Sequence, residues 1–329
     1  MRVALLHNPR PEDAPAGLPD DMFEEFDSTE TIDAIADALR SPGVEVVPII
    51  ADRALPQRLD DGRFDFAFNI AEGSGRRNRE AVPAAVCELL GLPYTGSDPL
   101  TLALTLDKWM ARRVVSPDVP VARAALWLQP ADDSHLNALT YPAIVKPNDE
   151  GSSKGIREDS IVESAAAAAS RARMLHETYG CPVLVEQFLP GAEITIGLLG
   201  NGDTARVIAL MEIEPIDCSP RFVYSVEVKR DFLRRVRYHV PPRVAPASGD
   251  ELARLAIHAF HCLGCRDVAR VDFRLDALGR PHFLECNPLP GLNPSVSDLV
   301  ILSRGVLTYS CLVRQILKEA TARTGVQMP

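Results

Sequence analysis

The feature that most constrains the fold is the alternation of strand and helix patterns along the first hundred residues. In chain order these are a strand-like run at 2–7, a helical pattern at 28–40, strand-like runs at 44–50 and 64–70, and a helical pattern at 80–91. Such alternation is typical of an open parallel sheet covered by helices. The sequence therefore predicts an N-terminal open parallel α/β domain over residues 1–100. Within it, residues 11–27 form a long entry loop, a feature that is often functional.

Beyond residue 100 the pattern changes to that of an α+β protein. The segments are helical patterns at 101–115 and 160–180, a strand-like run at 141–147, and hairpin turns at 200–203 and 277–280. Short strands joined by glycine-containing turns indicate antiparallel pairing. We predict a central α+β lobe at 101–185 and a C-terminal α+β lobe at 186–329.

Composition and charge exclude several classes of protein. Hydrophobic residues make up 46% and charged residues 24% of the 329 residues, as in ordinary globular proteins. The net charge of −10 argues against general nucleic-acid binding. No apolar run approaches the roughly 18 residues that span a bilayer, and the short N-terminal run is typical of a strand rather than a signal peptide. We expect a cytoplasmic protein with no nucleic-acid or membrane partner.

Seven cysteines are scattered along the chain, an odd number that favours reduced thiols in a protein without a signal peptide. The one close pair is Cys262 and Cys265. A zinc or redox interpretation of this pair needs a second pair of ligands or a thioredoxin-like setting, and the sequence offers neither. We interpret all seven cysteines as structural, with this pair as small buried residues on either side of Gly264 at a helix end.

A predicted hairpin near the C-terminus concentrates polar residues at its strand ends. If the strands on either side of the 277–280 turn pair antiparallel, Asp272 lies opposite Glu285 and Arg270 lies opposite Asn287. Side chains alternate between faces along a strand, so these four side chains converge. Two carboxylates and an amide oxygen are ligands suited to Mg²⁺. The alternative is a salt bridge from Arg270 to one of the carboxylates, with Asn287 capping the turn.

A second set of candidate residues follows the strand that ends at Lys146. The loop after it holds Gly151, Ser152, Ser153 and Gly155, whose backbone N–H groups and hydroxyls are suited to phosphate oxygens. Their spacing is not that of a P-loop, and a plain connecting loop is the alternative.

Two further acids, Glu186 and Glu193, flank a predicted bend from strand to loop. A solvated surface pair is the alternative to a binding role for these two residues.

Four segments occur in one order along nearly the whole chain, at 91–108, 144–155, 183–193 and 269–291. In order and spacing they resemble the ATP-grasp superfamily, and within it the D-alanine–D-alanine ligase-like family. The resemblance implies the ATP-grasp fold, with an N-terminal open parallel α/β domain plus two α+β lobes that sandwich ATP. It also implies an ATP-dependent ligase that joins a carboxylate to an amine through an acyl phosphate.

The same resemblance implies roles for the candidate residues. The residues that would bind the nucleotide are Lys108, Lys146, Ser153, Glu186, Leu189 and Glu193. Those that would hold Mg²⁺, expected as two ions with Mn²⁺ as a substitute, are Asp272, Glu285 and Asn287. Arg270 would stabilise the negative oxygens of the acyl phosphate and of the tetrahedral intermediate.

The residues that would contact the substrates depart most from the family pattern. The resemblance implies that Glu30 binds the first substrate's ammonium and that Ser152 is linked to it. Lys229 aligns with a lysine on a mobile loop, where Arg230 replaces a tyrosine. A planar cation in place of a phenol suggests a substrate with a carboxylate to bind.

Other departures concern the second substrate and the loop that covers it. Val296, between Ser295 and Ser297, stands close to the position of a serine that binds the second substrate's carboxylate. The segment 68–80 replaces a His-Gly segment, and the arginine-rich segment 221–240 is expected to be a mobile lid.

We therefore expect a ligase for an amino acid or small peptide other than two D-alanines. A genuine D-alanine–D-alanine ligase of peptidoglycan synthesis is one alternative, and a nucleotide-binding regulatory relative without ligase activity is another. The expected partners are small-molecule substrates, and the resemblance also suggests a homodimer.

Overall fold

Three β-sheets organise the chain in the computed structural model, which describes residues 1–11, 15, 17–75, 77–129, 132–217, 219, 221–327 and 329. One sheet is parallel and two are antiparallel. With helices on their faces they form the mixed α/β and α+β architecture that the sequence predicts. Among the described residues, no helix combines the length and the apolar character needed to cross a membrane.

The N-terminal sheet is parallel, with strand order β2-β1-β3. Its elements in chain order are β1 (Arg2–His7), α1 (Thr29–Leu39), β2 (Glu45–Ile50), α2 (Leu55–Gly62), β3 (Phe66–Asn69) and α3 (Ala81–Leu89). The sequence analysis predicts all of them except α2. That helix has eight residues and buries only Leu55 and Leu59, so its amphipathic pattern is too short to recognise.

The second sheet is antiparallel, with strand order β4-β7-β5-β6. This part of the chain contains α4 (Pro99–Leu106), α5 (Lys108–Val115), β4 (Ala124–Trp127), β5 (Ala143–Pro147), β6 (Ile161–Val162), α6 (Ala165–Tyr179) and β7 (Val183–Gln187). The alanine-rich α6 packs against the sheet, as expected. The predicted boundary at residue 185 falls inside β7, and the division into three domains stays a prediction.

Asp107 divides the single helix predicted at 101–115 into two. Its backbone is extended, with φ −82° and ψ 96°, and its side chain accepts a hydrogen bond from the backbone N–H of Met110 at 3.0 Å. A carboxylate in this position caps a new helix. The second helix therefore begins at Lys108, whose backbone N–H donates to the carbonyl of Asn148 at 3.0 Å.

The third sheet is antiparallel, with strand order β10-β9-β8-β11-β12. Its region contains β8 (Glu193–Gly200), β9 (Arg206–Pro215), α7 (Val226–Arg230), α8 (Phe232–Arg235), β10 (Val236–His239), α9 (Pro246–Cys262), β11 (Asp267–Leu275), β12 (Pro281–Asn287), α10 (Asp298–Ser303) and α11 (Tyr309–Thr324). The pairings of β8 with β9 and of β11 with β12 confirm both predicted hairpins. The segment 221–240 contains two short helices and a strand rather than a plain loop.

The largest apolar core joins the N-terminal sheet to the end of the chain. Leu5 of β1 and Ile35 of α1 lie in one buried cluster with Leu312 and Ile316 of α11. Burial of these side chains is the main stabilising contribution available to such a junction. It fixes the N-terminal sheet against the part of the chain that carries the polar hairpin.

Six of the seven cysteines lie in the described residues and are free thiols, whereas Cys218 lies outside them. Cys265 is buried, as expected, but Cys262 is only half-buried. The expectation of two buried residues is therefore wrong for Cys262, which lies at the edge of the apolar cluster between α9 and the sheet.

Candidate active site

The hairpin of β11 and β12 has the predicted register. Asp272 pairs with Glu285, and Arg270 pairs with Asn287. The guanidinium of Arg270 donates to both carboxylate oxygens of Asp272, with N–O distances from 2.8 to 3.1 Å, and lies 3.5 Å from Glu285. One arginine therefore contacts two carboxylates that lie next to each other on neighbouring strands.

The two carboxylates differ in their electrostatic surroundings. Burial raises the pKa of Glu285, but the positive charges of Lys108, Arg270 and other cations outweigh this effect and lower the pKa to about 2. Lys108 Nζ lies 3.5 Å from Glu285. Burial raises the pKa of Asp272, against the opposing charge of Arg270. Glu285 is therefore ionised at neutral pH, as a ligand of a cation must be.

This set of oxygen donors fits a hard divalent cation. The salt bridge from Arg270 to Asp272 and the cap at Asn287 are both present, since Asn287 Oδ1 accepts a hydrogen bond from the N–H of Leu289 at 2.9 Å. Neither contact uses all the lone pairs of the carboxylate and amide oxygens. Two neighbouring carboxylates suit Mg²⁺, and Asn287 lies two residues after Glu285 on the same strand. Metal binding by these residues stays a prediction, as does the number of ions.

The hairpin borders a cleft between the two antiparallel sheets. Nine of the predicted site residues line it: Lys146, Ser153, Glu186, Leu189, Glu193, Lys229, Arg270, Asp272 and Glu285. Lys108 adjoins this set through Glu285. Four other predicted residues, all within the described part of the chain, are not among those lining the cleft: Glu30, Ser152, Arg230 and Asn287.

On one wall of the cleft, Lys146 of β5 lies beside Glu186 of β7. Lys146 Nζ is 3.3 Å from the Glu186 carboxylate, and Arg112 Nη1 is 3.6 Å from the same carboxylate. All three side chains are buried. Burial lowers the pKa of Arg112, and its Nη1 makes no hydrogen bond. The sequence analysis missed Arg112. The only feature that could have indicated it is the presence of a cation on the buried face of a helix.

Arg274 contacts two of the residues that the resemblance assigns to nucleotide binding. Its Nε donates to the backbone carbonyl of Leu189 at 2.6 Å, and its Nη1 donates to Glu193 at 3.1 Å. The guanidinium also stacks 4.8 Å from the centre of the Phe188 ring. A nucleotide that contacts Glu193 and the Leu189 backbone would share both groups with Arg274.

The loop after Lys146 has a strained backbone. Ser152, Ser153 and Gly155 have φ values of 47°, 61° and 72°, in the left-handed region. Residue 155 must be glycine, because a Cβ there would lie 2.6 Å from the Pro147 ring. The Ser153 hydroxyl donates to the backbone carbonyl of Tyr224 at 2.7 Å. Strained segments that their surroundings hold in place are common at ligand sites.

Two acids of the entry loop hold this strained loop, and the sequence analysis did not single them out. Glu25 accepts a hydrogen bond from the N–H of Gly151 at 2.6 Å and pairs with Lys154 at 2.6 Å. Asp21 accepts a hydrogen bond from the N–H of Gly155 at 2.9 Å. The only signal for them in the sequence is that they belong to an acidic loop whose length is typical of functional loops.

A cluster of acids and one arginine lies beside Glu25. Arg79 pairs with Glu25 at 2.9 Å. Burial raises the pKa of Glu80 to about 7, against the opposing charge of Arg79. Burial and the charges of Glu80 and Glu25 raise the pKa of Glu72. These residues belong to the segment 68–80, whose Arg76 lies outside the described residues.

The predicted ammonium ligand Glu30 lies elsewhere, exposed in the first turn of α1. The structure brings Glu25, rather than Glu30, into contact with the loop that contains Ser152. The role predicted for Glu30 stays a prediction. Glu25 is an acid that does accept a hydrogen bond from that loop.

Lys229 and Arg230 lie at the end of α7 and contact different neighbours. Lys229 lines the cleft, with its Nζ 5.3 Å from the centre of the Tyr224 ring. Arg230 contacts the entry loop, pairing with Asp20 at 2.6 Å and with Glu24 at 2.7 Å. The cation expected to bind a substrate carboxylate is therefore paired with two carboxylates of the protein.

Asp298, the first residue of α10, is a further acid of the cleft that the sequence analysis missed. It lies 3.4 Å from Arg270 Nη1 and accepts a hydrogen bond from the Tyr224 hydroxyl at 3.2 Å. The hydroxyls of Tyr224 and Tyr238 are 2.6 Å apart, and burial raises the pKa of both. An aspartate at a helix start is usually a cap, so its sequence position gave no functional signal.

Comparisons with known proteins identify the family of the chain. A family model described as D-ala D-ala ligase C-terminus matches residues 115–318. A D-alanine–D-alanine ligase from Nitrosococcus oceani is 33% identical over 293 residues, which are 88% of each chain.

Solved structures share the fold along the whole chain. A D-alanine–D-alanine ligase from Bacillus anthracis complexed with ATP matches with a TM-score of 0.75 and 19% identity over 100% of both chains. The VanG D-Ala:D-Ser ligase from Enterococcus faecalis matches with a TM-score of 0.74 and 19% identity, over 97% of this chain and 99% of that one. The family match and the identity to the Nitrosococcus oceani ligase show that the chain belongs to the D-alanine–D-alanine ligase family of ATP-grasp ligases.

Proposed function

We propose that this ATP-dependent, C–N bond-forming ligase joins the carboxylate of one amino acid or small peptide to the amine of another in the cleft described above. The observation that carries the proposal is the arrangement of Arg270, Asp272 and Glu285 beside the buried Lys146. In this arrangement the cations can neutralise the negative charge that develops when a carboxylate attacks a phosphate, and Asp272 and Glu285 can hold a metal ion that does the same.

The proposed nucleotide site follows from the charges in the cleft. Lys146 and Lys108 would contact the phosphates, with the Ser153 loop closing over them. Glu193 and the Leu189 backbone would bind the ribose and adenine, together with Glu186. Mg²⁺, which we propose as two ions held by Asp272, Glu285 and Asn287, would supply the positive charge that draws electrons from the transferred phosphoryl group.

In the proposed reaction, a substrate carboxylate attacks the γ-phosphorus of ATP, which gives an acyl phosphate and ADP. The amine of the second substrate then attacks the acyl carbon, and phosphate leaves. Arg270 is placed to stabilise the negative oxygens of both steps. The segment 221–240 would exclude water, because an acyl phosphate is readily hydrolysed.

We propose that the acids beside Glu25 recognise a substrate ammonium group. In this cluster Arg79 and Lys154 both pair with Glu25 and Glu150, and burial raises the pKa of the neighbouring Glu72 and Glu80. A substrate cation would supply the missing charge. Because Arg230 is paired with Asp20 and Glu24, it gives little support to an anionic substrate.

A genuine D-alanine–D-alanine ligase is the second candidate. The observation that favours it is the 33% identity to the Nitrosococcus oceani D-alanine–D-alanine ligase over most of both chains. The third alternative, a regulatory relative without ligase activity, is disfavoured because the set of Arg270, Asp272, Glu285 and Asn287 is complete. A homodimer is also proposed, on the resemblance alone.

The test is ADP and phosphate release with ATP and Mg²⁺ against a panel of D- and L-amino acids and dipeptides. We expect turnover with at least one pair, and loss of at least about a hundredfold of it in Glu285→Gln and Asp272→Asn. Asp203→Asn, an exposed acid outside the cleft, is the matched control and should keep full activity. Turnover unchanged in both cleft variants would show that the metal site lies elsewhere.

A further inference from the structure

Away from the cleft, three side chains of different chemistry converge on one point. They are Asp118, which follows α5, and His258 and Cys262, which both belong to α9. One carboxylate oxygen, one imidazole nitrogen and the thiol sulfur all lie within 4.8 Å of one another. His258 Nε2 is 3.3 Å from Asp118 Oδ2.

The fold places these three residues together for identifiable reasons. His258 and Cys262 are four positions apart on α9, so their side chains lie on one face of the helix. Asp118 lies in a turn closed by its own N–H, which donates to the carbonyl of Val115 at 3.1 Å. Two residues later, the carbonyl of Pro120 accepts a hydrogen bond from the N–H of Phe283 in β12 at 2.8 Å.

The imidazole has an unsatisfied nitrogen directed at its neighbours. The His258 side chain is 42% exposed, yet its Nε2 is enclosed and makes no hydrogen bond. Leaving an enclosed polar nitrogen without a partner is unfavourable. Proximity to Asp118 accounts for a simple ion pair, but it does not account for the thiol that faces the same point.

We propose that Asp118, His258 and Cys262 form a binding site for Zn²⁺, with water as the fourth ligand. Carboxylate oxygen, imidazole nitrogen and thiolate sulfur are the three ligand types that Zn²⁺ takes, at roughly 2.0 to 2.3 Å. Asp118 is exposed and can rotate to close the remaining distance. The Cys262 thiol loses its proton to solvent when the zinc–sulfur bond forms. The nitrogen and sulfur ligands of this site favour Zn²⁺, whereas the oxygen ligands of Asp272 and Glu285 suit Mg²⁺.

The consequence of zinc binding is structural. The ion would join α9 to the link between α5 and β4, and through Pro120 and Phe283 that link is hydrogen-bonded to β12. Because β12 carries Glu285, a metal-free protein should be less stable around the catalytic hairpin. The site takes no part in the chemical steps proposed above.

The test is titration of the full chain with Co²⁺, a spectroscopic substitute for Zn²⁺, in the presence of excess Mg²⁺. We expect one equivalent of Co²⁺ to bind with the near-ultraviolet absorption band of a cobalt–thiolate bond, and Zn²⁺ to displace it. About one proton should be released per ion, and Zn²⁺ should raise the melting temperature.

Two variants and two matched controls make the test specific. His258→Ala and Cys262→Ser should each weaken Co²⁺ binding at least tenfold and abolish the rise in melting temperature. His261→Ala, on the same helix, and Cys311→Ser, an exposed thiol on α11, should bind as the parent does. A far-ultraviolet circular dichroism spectrum like that of the parent in all four variants would show that they are folded. Absence of the thiolate band, or equal binding by all four variants, would overturn the proposal.

Discussion

At the scale of single residues, the protein pairs the charges of its cleft among themselves. For example, Lys146 lies beside Glu186, Arg270 binds Asp272, and Arg274 binds Glu193. Buried charges are unfavourable unless they are paired, so this arrangement allows the cleft to form before any ligand enters. A nucleotide would exchange some of these pairs for contacts with its own phosphates and hydroxyls.

Lys146→Ala should weaken ATP binding by about tenfold or more. Removing a buried cation leaves the charge of a phosphate without its partner, and each tenfold corresponds to about 1.4 kcal/mol. Isothermal titration calorimetry with ATP and Mg²⁺ measures the change. Lys318→Ala, an exposed lysine of α11, is the matched control. Equal affinities for the two variants would remove Lys146 from the nucleotide site.

Asp27 should make the protein less stable as the pH rises from about 4 to about 7. Burial raises its pKa to about 7, and its Oδ2 makes no hydrogen bond. An acid with a raised pKa favours the folded state while it is protonated, and that contribution is lost as pH rises through the folded pKa. Each unit of pKa shift corresponds to about 1.4 kcal/mol, so the loss should reach a few kcal/mol.

Urea denaturation of the parent protein and of Asp27→Asn at pH 4.5 and pH 8 measures this effect. The free energy of unfolding of the parent should fall more between the two values than that of the variant. Asp33→Asn, in the solvent-exposed part of α1, should behave as the parent does. A parallel pH dependence in all three proteins would show that Asp27 does not titrate in this range.

At the scale of elements, the entry loop connects the N-terminal sheet to two segments that lie beside the cleft. Its Glu25 binds the loop after Lys146, while its Asp20 and Glu24 bind Arg230 of α7. Surface ion pairs are individually weak, but several in one network restrict a mobile segment. The position of the lid segment 221–240 should therefore depend on the entry loop.

The lid segment should exchange its backbone hydrogens faster without ligands than with ATP analogue, Mg²⁺ and substrate. A lid that excludes water must open to admit the substrate and close over it. Arg230→Ala should increase exchange in the lid segment of the ligand-free protein, whereas Arg234→Ala, whose side chain is 86% exposed, should not. Hydrogen exchange with mass spectrometry provides the measurement. Equal protection with and without ligands would contradict a lid role.

At the scale of the whole molecule, the fold is that of a D-alanine–D-alanine ligase, whereas the residues expected to contact the substrates depart from the family pattern. Val296 has no hydroxyl, and its neighbour Ser297 accepts a hydrogen bond from the N–H of Asn293 at 2.9 Å. Glu72 and Glu80 belong to the segment 68–80, which the resemblance interprets as a replacement of the family's His-Gly segment. The common scaffold therefore supplies the reaction, and these local differences are expected to select the substrate.

D-alanine alone should give little or no D-alanyl-D-alanine. A site that lacks a donor for a substrate carboxylate binds that substrate poorly. The measurement is product formation at saturating D-alanine, ATP and Mg²⁺. A turnover of about 1 s⁻¹ or more, typical of enzymes on their own substrates, would favour the D-alanine–D-alanine ligase alternative. If D-alanine alone gives no product, Arg230→Tyr combined with Val296→Ser should increase the formation of D-alanyl-D-alanine. No increase would indicate that other differences, including the segment 68–80, select the substrate.

Local patterns determined much of this protein. Alternation of strands and helices predicted the parallel sheet, and a short turn between two strands predicted the register of Asp272 with Glu285. Four ordered segments were enough for the family. These features could be predicted because the residues involved are close in sequence or have a fixed period along the chain.

Only the tertiary structure decided which distant charges meet. Arg230 contacts Asp20 across 210 positions, and Gly155 contacts Asp21 across 134. Asp298 contacts Arg270 from a separate helix. The Cys262 thiol lies within 4.8 Å of the Asp118 carboxylate, a neighbour that its sequence position does not indicate. Side chains so far apart have no common period, and their pairing depends on how the sheets and helices pack. The pairing of Arg230 with carboxylates of the protein and the proximity of Asp118 to Cys262 both follow from that packing.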